Sequence, residues 1–416
     1  MSFYYEPWDQ ACRANQWETY HRLLEEVPVY RAPSGTWVVS RYDDCKRLLS
    51  MHDTLSSRPQ QEEVFAFPPD VDRMTNEEVQ NLFAAMANLP LDLFELAEAQ
   101  VIVGADNPTH KRLRDIVQRG FTRRRLLELG STMAEVAQSC VARMNGDPVD
   151  VCEVLADPLP VRMISDMLSL DASHAPDVIR WSNDMATLPQ APDRGTFPNV
   201  MALLKMVEEF SNLFVPMIEE RRESPKDDLI SDIVRAAEDD ALTSTEAALF
   251  LLVLMVGGNE TSANLISAAV ACLMQNPDQL KLVLDDDSLI PGAVEEALRV
   301  ESPLQFGFRR ALEPVEVQGV TIPEGELICL LWGAANRDPR RFEDPDRFDV
   351  TRTQSNLGFG HGAHLCLGAH LARMEGVAAV RAIAPRLPDY TLDVAALHLR
   401  PSMLSHGFER VVLTSR

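Results

Sequence analysis

Phe359-Gly360-His361-Gly362-Ala363-His364-Leu365-Cys366-Leu367-Gly368 is the stretch on which the reading of this chain turns. A helical pattern, Ala369–Ile383, follows it at once. A thiolate just before a helix feels the positive end of the helix dipole, which favours the charged, metal-ligating form. The glycines let the backbone fold tightly around the sulfur, so that amide N–H groups can hydrogen-bond to it and set its electron donation. Gly368 leaves room for a flat macrocycle against the new helix. Seven cysteines are present, at 12, 45, 140, 152, 272, 329 and 366, an odd count without a C-x-x-C pair. Disulfides are therefore not expected, and the six besides Cys366 read as small buried hydrophobes.

Working outward, the longest helical pattern runs from Thr243 to Gln275. Thr243 and Glu246 form a capping box at its start and Asn276-Pro277 ends it. Its centre carries Gly257-Gly258, at a cost of about 1 kcal/mol per glycine against alanine. Glu260-Thr261-Ser262 then places polar groups inside an apolar run. From the residues alone two readings stand. The glycines mark a kink or close helix crossing, or they open space for a diatomic ligand to which Glu260 and Thr261 deliver protons. Closer to the cysteine loop, Glu296-Ala297-Leu298-Arg299 puts a carboxylate and a guanidinium on one helix face. Alone that pattern means little, since most such pairs are solvated.

Together these stretches resemble the cytochrome P450 family. Its haem signature F-G-x-G-x-H-x-C-x-G is met by Phe359, Gly360, Gly362, His364, Cys366 and Gly368, and its [AG]-G-x-[DE]-[TS] motif by Gly257, Gly258, Glu260 and Thr261. Its E-x-x-R is met by Glu296 and Arg299, and the arginine of its P-x-R-F by Arg347. The resemblance implies a mainly α fold with a small β portion, a triangular prism with one long central helix over the haem. It implies haem b bound through Cys366, Phe359 shielding the sulfur, and Gly368 and Gly257 making room for cofactor and dioxygen. His364, His110, Arg114 and Arg310 would reach the haem propionates, and Glu296, Arg299 and Arg347 would form a buried structural network. The implied activity is monooxygenation with dioxygen as co-substrate, Glu260 and Thr261 being the catalytic pair. A peroxygenase or isomerase on the same fold, and a haem-based sensor, are the rivals. The acid–alcohol pair argues against the former, and the lack of an appended signalling domain against the latter.

Periodicity agrees with the implied class. Helical spacing covers Trp17–Glu26, Tyr42–Leu49, Asn76–Ala87, Thr109–Arg119, Leu126–Asn145, Val161–Leu168 and Val200–Arg222. Strand-like runs are short: Thr36–Ser40, Val315–Val317, Leu327–Leu331 and Val411–Leu413. No linker or repeat is visible, so one domain over 1–416 is expected, with its β-rich part from about 28–60, 303–332 and 390–416. The net charge of −24 disfavours nucleic acid and anionic membrane as partners. Residues Met1 to Gln16 lack the apolar core of a signal peptide, and Ala247 to Gly258 is shorter than the roughly 20 residues of a membrane span, so a cytoplasmic monomer without a membrane anchor is expected.

By the same resemblance a small, largely apolar substrate of terpenoid, aromatic or acyl-chain type is expected. Its pocket would be lined by the Gln60–Gly104 segment with Phe83 and Phe94, by Trp181, Met185, Leu188 and Val253, by Leu304 and Phe306, and by Met403 and Leu404. Gln305, Ser405 and His406 are available as a polar anchor. The Gln60–Gly104 segment reads equally as a lid or as plain packing. No flavin or iron–sulfur motif is present, so electrons must come from outside. Between Thr109 and Leu126 seven cations, Lys111, Arg112, Arg114, Arg119, Arg123, Arg124 and Arg125, face a single acid, Asp115. That stretch reads as a solvated helix face or as the docking site of an acidic ferredoxin-type donor, itself supplied by a ferredoxin reductase.

Overall fold

The computed structural model describes residues 3–64, 69–91, 95, 99–188, 194–236, 242–400, 402 and 405–416. Contacts divide the chain into two compact units, one of residues 1–60, 126–160 and 261–416, the other of 61–125 and 161–260. All four crossings fall inside helices, Arg58–Val64, Arg123–Ala142, Pro158–Met167 and Ser244–Gln275, which is why no linker is visible in the sequence. The elements used below are, in chain order, α1 (Ala11–Ala14), β1 (Val29–Arg31), β2 (Trp37–Val39), β3 (Leu55–Ser56), α2 (Thr109–Gln118), α3 (Ser244–Gln275), α4 (Ile290–Val300), β4 (Gly307–Ala311), β5 (Leu327–Leu330) and α5 (Ala369–Ile383).

Among the described residues every strand belongs to the first unit. Its main sheet has the order β1-β2-β5-β4-β3. β5 runs parallel to β2, with Val38 opposite Cys329, and antiparallel to β4, with Phe308 opposite Cys329. Ile328, Cys329 and Leu330 are all buried, as a central strand covered on both faces requires. The sheet packs on Cys45, Leu48, Leu49 and Phe342. A smaller sheet joins Val412–Ser415 to Val149–Asp150 and Tyr390–Leu392. The strand Gly307–Ala311 lies within the β-rich span expected at about 303–332, although its two arginines mask the apolar pattern that marks a single strand. α4 starts with a proline in its first turn, where a missing N–H costs nothing.

The described part of the second unit is helical. On α2 the buried residues are His110, Leu113, Ile116 and Val117, one stripe at helical spacing, and the helix gives way at Arg119–Phe121 to a 3-10 turn. α3 has the expected capping box: Glu246 N donates to Thr243 Oγ1 at 3.1 Å and Thr243 N to Glu246 Oε2 at 3.0 Å. Its 32 residues pass for a membrane span by length and composition, further than Ala247 to Gly258 suggests, yet most of that apolar window is buried inside the protein, as in a core helix.

Candidate functional site

The cysteine loop is shaped by backbone. Gly360 and Gly362 adopt φ of 71° and 74°, the left-handed region that a side chain resists. A Cβ on Gly362 would also sit 2.5 Å from the Leu49 carbonyl oxygen. These turns bring Cys366 N to the Phe359 carbonyl at 2.9 Å and Gly360 N to that of Leu357 at 2.8 Å. The Phe359 ring carries the Arg373 guanidinium 4.5 Å from its centre, and Arg373 in turn pairs with Glu295. Ser57 Oγ and His364 Nε2 are hydrogen-bonded at 2.9 Å, which fixes the imidazole and leaves Nδ1 as its second polar atom.

Cys366 differs from the other cysteines. It is exposed, whereas Cys12 is half-buried and Cys45, Cys140, Cys152, Cys272 and Cys329 are buried. Burial pushes the thiols of Cys45, Cys272 and Cys329 up, and that of Cys152 up to about 12, so none of these suits thiolate chemistry. At Gly368 a Cβ would meet nothing within 4 Å. An accessible thiol at the head of α5 beside an open backbone surface fits the proximal side of a haem.

On α3, Gly258 would place a Cβ in ordinary contact with Ile164 at 3.7 Å, while at Gly257 nothing lies within 4 Å. Gly257 thus marks open space rather than a close helix crossing. Glu260 is buried and Thr261 half-buried, next to the buried Asn259 and Ser262. On α2, His110 is buried and Arg114, one turn on, is half-buried.

Glu296 and Arg299 form a bidentate pair, Nη2 to Oε1 at 2.7 Å and Nε to Oε2 at 2.8 Å, with side-chain exposures of 2% and 1%. Arg299 further donates to the carbonyls of Asn336, Pro345 and Arg347. The Arg347 assignment needs correction. Its side chain is exposed and it contributes its carbonyl, whereas the second guanidinium on Glu296 is that of Arg352, Nε to Oε1 at 3.0 Å.

Arg310 also needs correction. On β4 it is half-buried and donates to the Gly325 carbonyl at 3.2 Å, while Arg309, on the opposite face, is buried and donates to the Phe308 carbonyl. Strand alternation makes these two neighbours point apart, and the buried guanidinium is the better candidate for a propionate.

The pocket residues divide. Phe83 is 63% exposed, and its neighbour Leu82 is the buried one. Phe306 packs edge-on to Trp8 at 5.4 Å and Phe308 at 5.5 Å, in an aromatic cluster with the N-terminal segment. Trp181 packs on Phe210 and donates to Glu209. Gln305 is engaged by Gln16, Tyr20 and the Ser302 carbonyl, so its amide is not available as an anchor; His406 Nε2 bonds Glu301, while its Nδ1 has no hydrogen-bond partner among the described residues. Met185, Val253, Leu188 and Leu304 are half-buried. Phe94, Met403 and Leu404 lie outside the described residues.

Three of the seven cations of the basic stretch pair with acids of their own unit. Lys111 meets Asp115 at 2.9 Å, Arg112 meets Glu246 at 3.8 Å, and Arg125 bonds Asp227 and Asp232. The side chains of Arg119, Arg123 and Arg124 lie outside the described residues.

The family model described as Cytochrome P450 matches residues 68–383. The chain is 36% identical, over 97% of its length and 96% of the relative's, to Cytochrome P450 107B1 of Saccharopolyspora erythraea. It is 35% identical to 6-deoxyerythronolide B hydroxylase of the same organism, over 95% of each chain. Among solved structures, Cytochrome P450 CYP109Q5 from Chondromyces apiculatus superposes with a TM-score of 0.83 at 29% identity, covering 100% of this chain and 99% of that one.

Proposed function

From the premise that this chain belongs to the cytochrome P450 family and is a haem-thiolate monooxygenase using haem b and dioxygen, we propose that Cys366 binds the iron, that Glu260 and Thr261 manage the protons, and that the substrate is a small, largely apolar organic molecule. The observation that carries this reading is the exposed Cys366 thiol at the head of α5, against six cysteines that are buried or half-buried.

Arg309 and His364 hold the propionates in this reading, with His110 and Arg114 assigned to the same task by resemblance. Their cations offset two carboxylates that a low-dielectric interior would otherwise expel. When bound, the haem supplies reductive activation of dioxygen, one atom entering the substrate and the other leaving as water. Gly257 leaves the space that a side chain would fill. Thr261 presents a proton at Oγ1, and the Glu260 carboxyl replaces it. Met185 and Val253, half-buried in the second unit, are read as apolar contacts to the substrate. Hydroxylation, the reaction for which the 35% identical relative is named, is the transformation we assign.

Electrons come from an external redox partner, for which a ferredoxin with its reductase is our reading. We read docking onto the basic stretch between Thr109 and Leu126, with Arg112, Arg123 and Arg124 as the cations that probe it, in a chain whose net charge is −24. Replacing these three by alanine should slow reduction by a ferredoxin and flatten its salt dependence.

The test of the whole reading is spectroscopic. The reduced carbonyl complex of the parent should show a thiolate-type Soret band that Cys366→Ala lacks. Product should form with reductant and dioxygen but not with peroxide alone. Identical carbonyl spectra for the two proteins would overturn the ligand assignment.

A further inference from the structure

We propose that Arg373 is a positioning residue for the cysteine ligand: held by Glu295, its guanidinium rests on the Phe359 ring, fixes that side chain in the cysteine loop and tunes how strongly the sulfur donates to iron. This deepens the haem-thiolate reading and rests on it.

The three residues are brought together by α4. Its Val294 and Leu298 crowd both flanks of the cysteine loop: a Cβ on Gly376 of α5 would sit 2.8 Å from Val294 Cγ1, and one on Gly358, just before the loop, 2.6 Å from Leu298 Cγ. Glu295 follows Val294 and stands one helical turn before Leu298, so it shares the face that meets those flanks. It reaches both of them. Arg373 Nε donates to Glu295 Oε1 and Nη2 to Oε2 at 3.3 Å, while Asn356 Nδ2 donates to the Glu295 carbonyl at 3.3 Å and to Oε2 at 3.4 Å. Asn356 Oδ1 in turn accepts from Gly358 N at 2.9 Å. One carboxylate thus ties the segment before Phe359 to the helix after Cys366.

The guanidinium is held from a third side, Nη1 donating to the Ala369 carbonyl at 3.4 Å, one turn back along α5. These bonds leave its Cζ 4.5 Å from the centre of the Phe359 ring, within range of a cation–π interaction. A planar fork can lie on a ring with several donors bonded at once, which an ammonium on a flexible stem does not match. Phe359 is coupled to the ligand through the backbone, since Cys366 N donates to its carbonyl at 2.9 Å. By resemblance its ring shields the sulfur, so whatever holds the ring holds the shield.

The pair has more to offer in field than in stability. With side-chain exposures of 39% and 36%, Arg373 and Glu295 form the kind of ion pair that adds little to folding. A cation near a centre that accepts an electron favours the reduced state, and the carboxylate beside it offsets that pull. As charges the two therefore act on the iron with opposite signs. As structural partners they would act alike.

The experiment compares the parent with Arg373→Gln, Arg373→Lys and Glu295→Gln as full-length holoprotein without organic ligand. It reads the reduction potential of the ferric protein, the rate at which the thiolate-type carbonyl band gives way to a thiol-type band, and thermal unfolding. Arg373→Gln should shift the potential negative and lose the thiolate band several-fold faster, because charge and ring support go together. Glu295→Gln should shift the potential positive. Arg373→Lys keeps the charge without the fork, so its potential should stay nearer that of the parent while its band is lost faster. Unfolding temperatures should stay close together. Potentials that do not move would overturn the proposal, as would shifts of the same sign in Arg373→Gln and Glu295→Gln or shifts that merely follow the unfolding temperature, which mark a general structural role. If Arg373→Gln does not accumulate, the sign for Glu295→Gln and the band lifetime of Arg373→Lys decide. A parent without the thiolate band condemns the haem-thiolate reading, and this proposal with it.

Discussion

Glu375 on α5 is hydrogen-bonded to Ser262, the residue after Thr261 on α3, and both are buried, with exposures of 1% and 3%. A carboxyl nine positions after the cysteine thus touches the helix of the acid–alcohol pair at the residue after Thr261. Burial raises its pKa to about 8, against the opposing pull of the Ser262 bond, and Oε2 has no hydrogen-bond partner among the described residues.

The pH dependence follows. In the unfolded chain this carboxyl titrates near its ordinary value of 4.5, in the folded protein at about 8. Its favourable contribution is complete below 4.5 and is lost as pH rises toward 8, because the unfolded state gives up the proton first. The loss is on the order of a few kcal/mol at pH 8. Glu375→Gln, isosteric and uncharged, should therefore gain stability relative to the parent between pH 5 and 8 and stay level with it at pH 4. Thermal unfolding of both proteins across that range is the measurement; a difference that does not vary with pH would contradict the assignment.

The network around Glu296 gives unequal costs. Removing Arg299 takes the bidentate partner from a carboxylate at 2% exposure and leaves it Arg352 as its guanidinium, and should cost about 3–5 kcal/mol. Arg352→Ala removes the second guanidinium, whose side chain is 7% exposed, and should also destabilise clearly. Arg347→Ala keeps the carbonyl that Arg299 uses, so its effect should stay within about 0.5 kcal/mol, as for an ordinary surface change. Denaturant unfolding of the three variants checks the order.

Thr261→Ala should bind haem and ligand nearly as the parent does while diverting reductant to peroxide. The motive is a half-buried hydroxyl beside buried Glu260 near the centre of a mostly apolar helix. Peroxide formed per reductant consumed is the readout, and unchanged coupling would remove Thr261 from proton delivery.

Much of this was legible in the sequence where the signal is local. Asn76–Ala87 and Ala369–Ile383 have the expected bounds because helical spacing and end signals agree, Thr75 and Glu78 forming a capping box before the former. The cysteine loop was legible because its glycines answer to local backbone torsion. What was not legible depends on distant partners. Nothing near Gln305 announces that Gln16 and Tyr20 occupy its amide, and nothing near Phe306 announces Trp8. Arg347 and Arg352 both reach the network, one by carbonyl and one by side chain, a choice made by loop geometry rather than spacing.

The two arginines of β4 show the same limit and permit the sharpest test. Gly307, Phe308, Arg309 and Ala311 are buried while Arg310 is half-buried, so the strand lacks the clean alternation from which parity could be read. Once β4 is paired, with Arg309 opposite Ile328 and Arg310 opposite Leu327, the two side chains take opposite faces. Arg309 lies in a protein interior where a guanidinium is stable only with polar partners. If it binds a haem propionate, Arg309→Leu deletes a charge-assisted hydrogen bond of about 1.5–3 kcal/mol, roughly a tenfold or greater loss in haem retention. Arg310→Leu, whose parent side chain reaches the Gly325 carbonyl near the surface, should leave retention close to that of the parent. Haem transfer to excess apomyoglobin measures both rates directly. Faster loss from Arg310→Leu than from Arg309→Leu would reverse the assignment and return the propionate to Arg310.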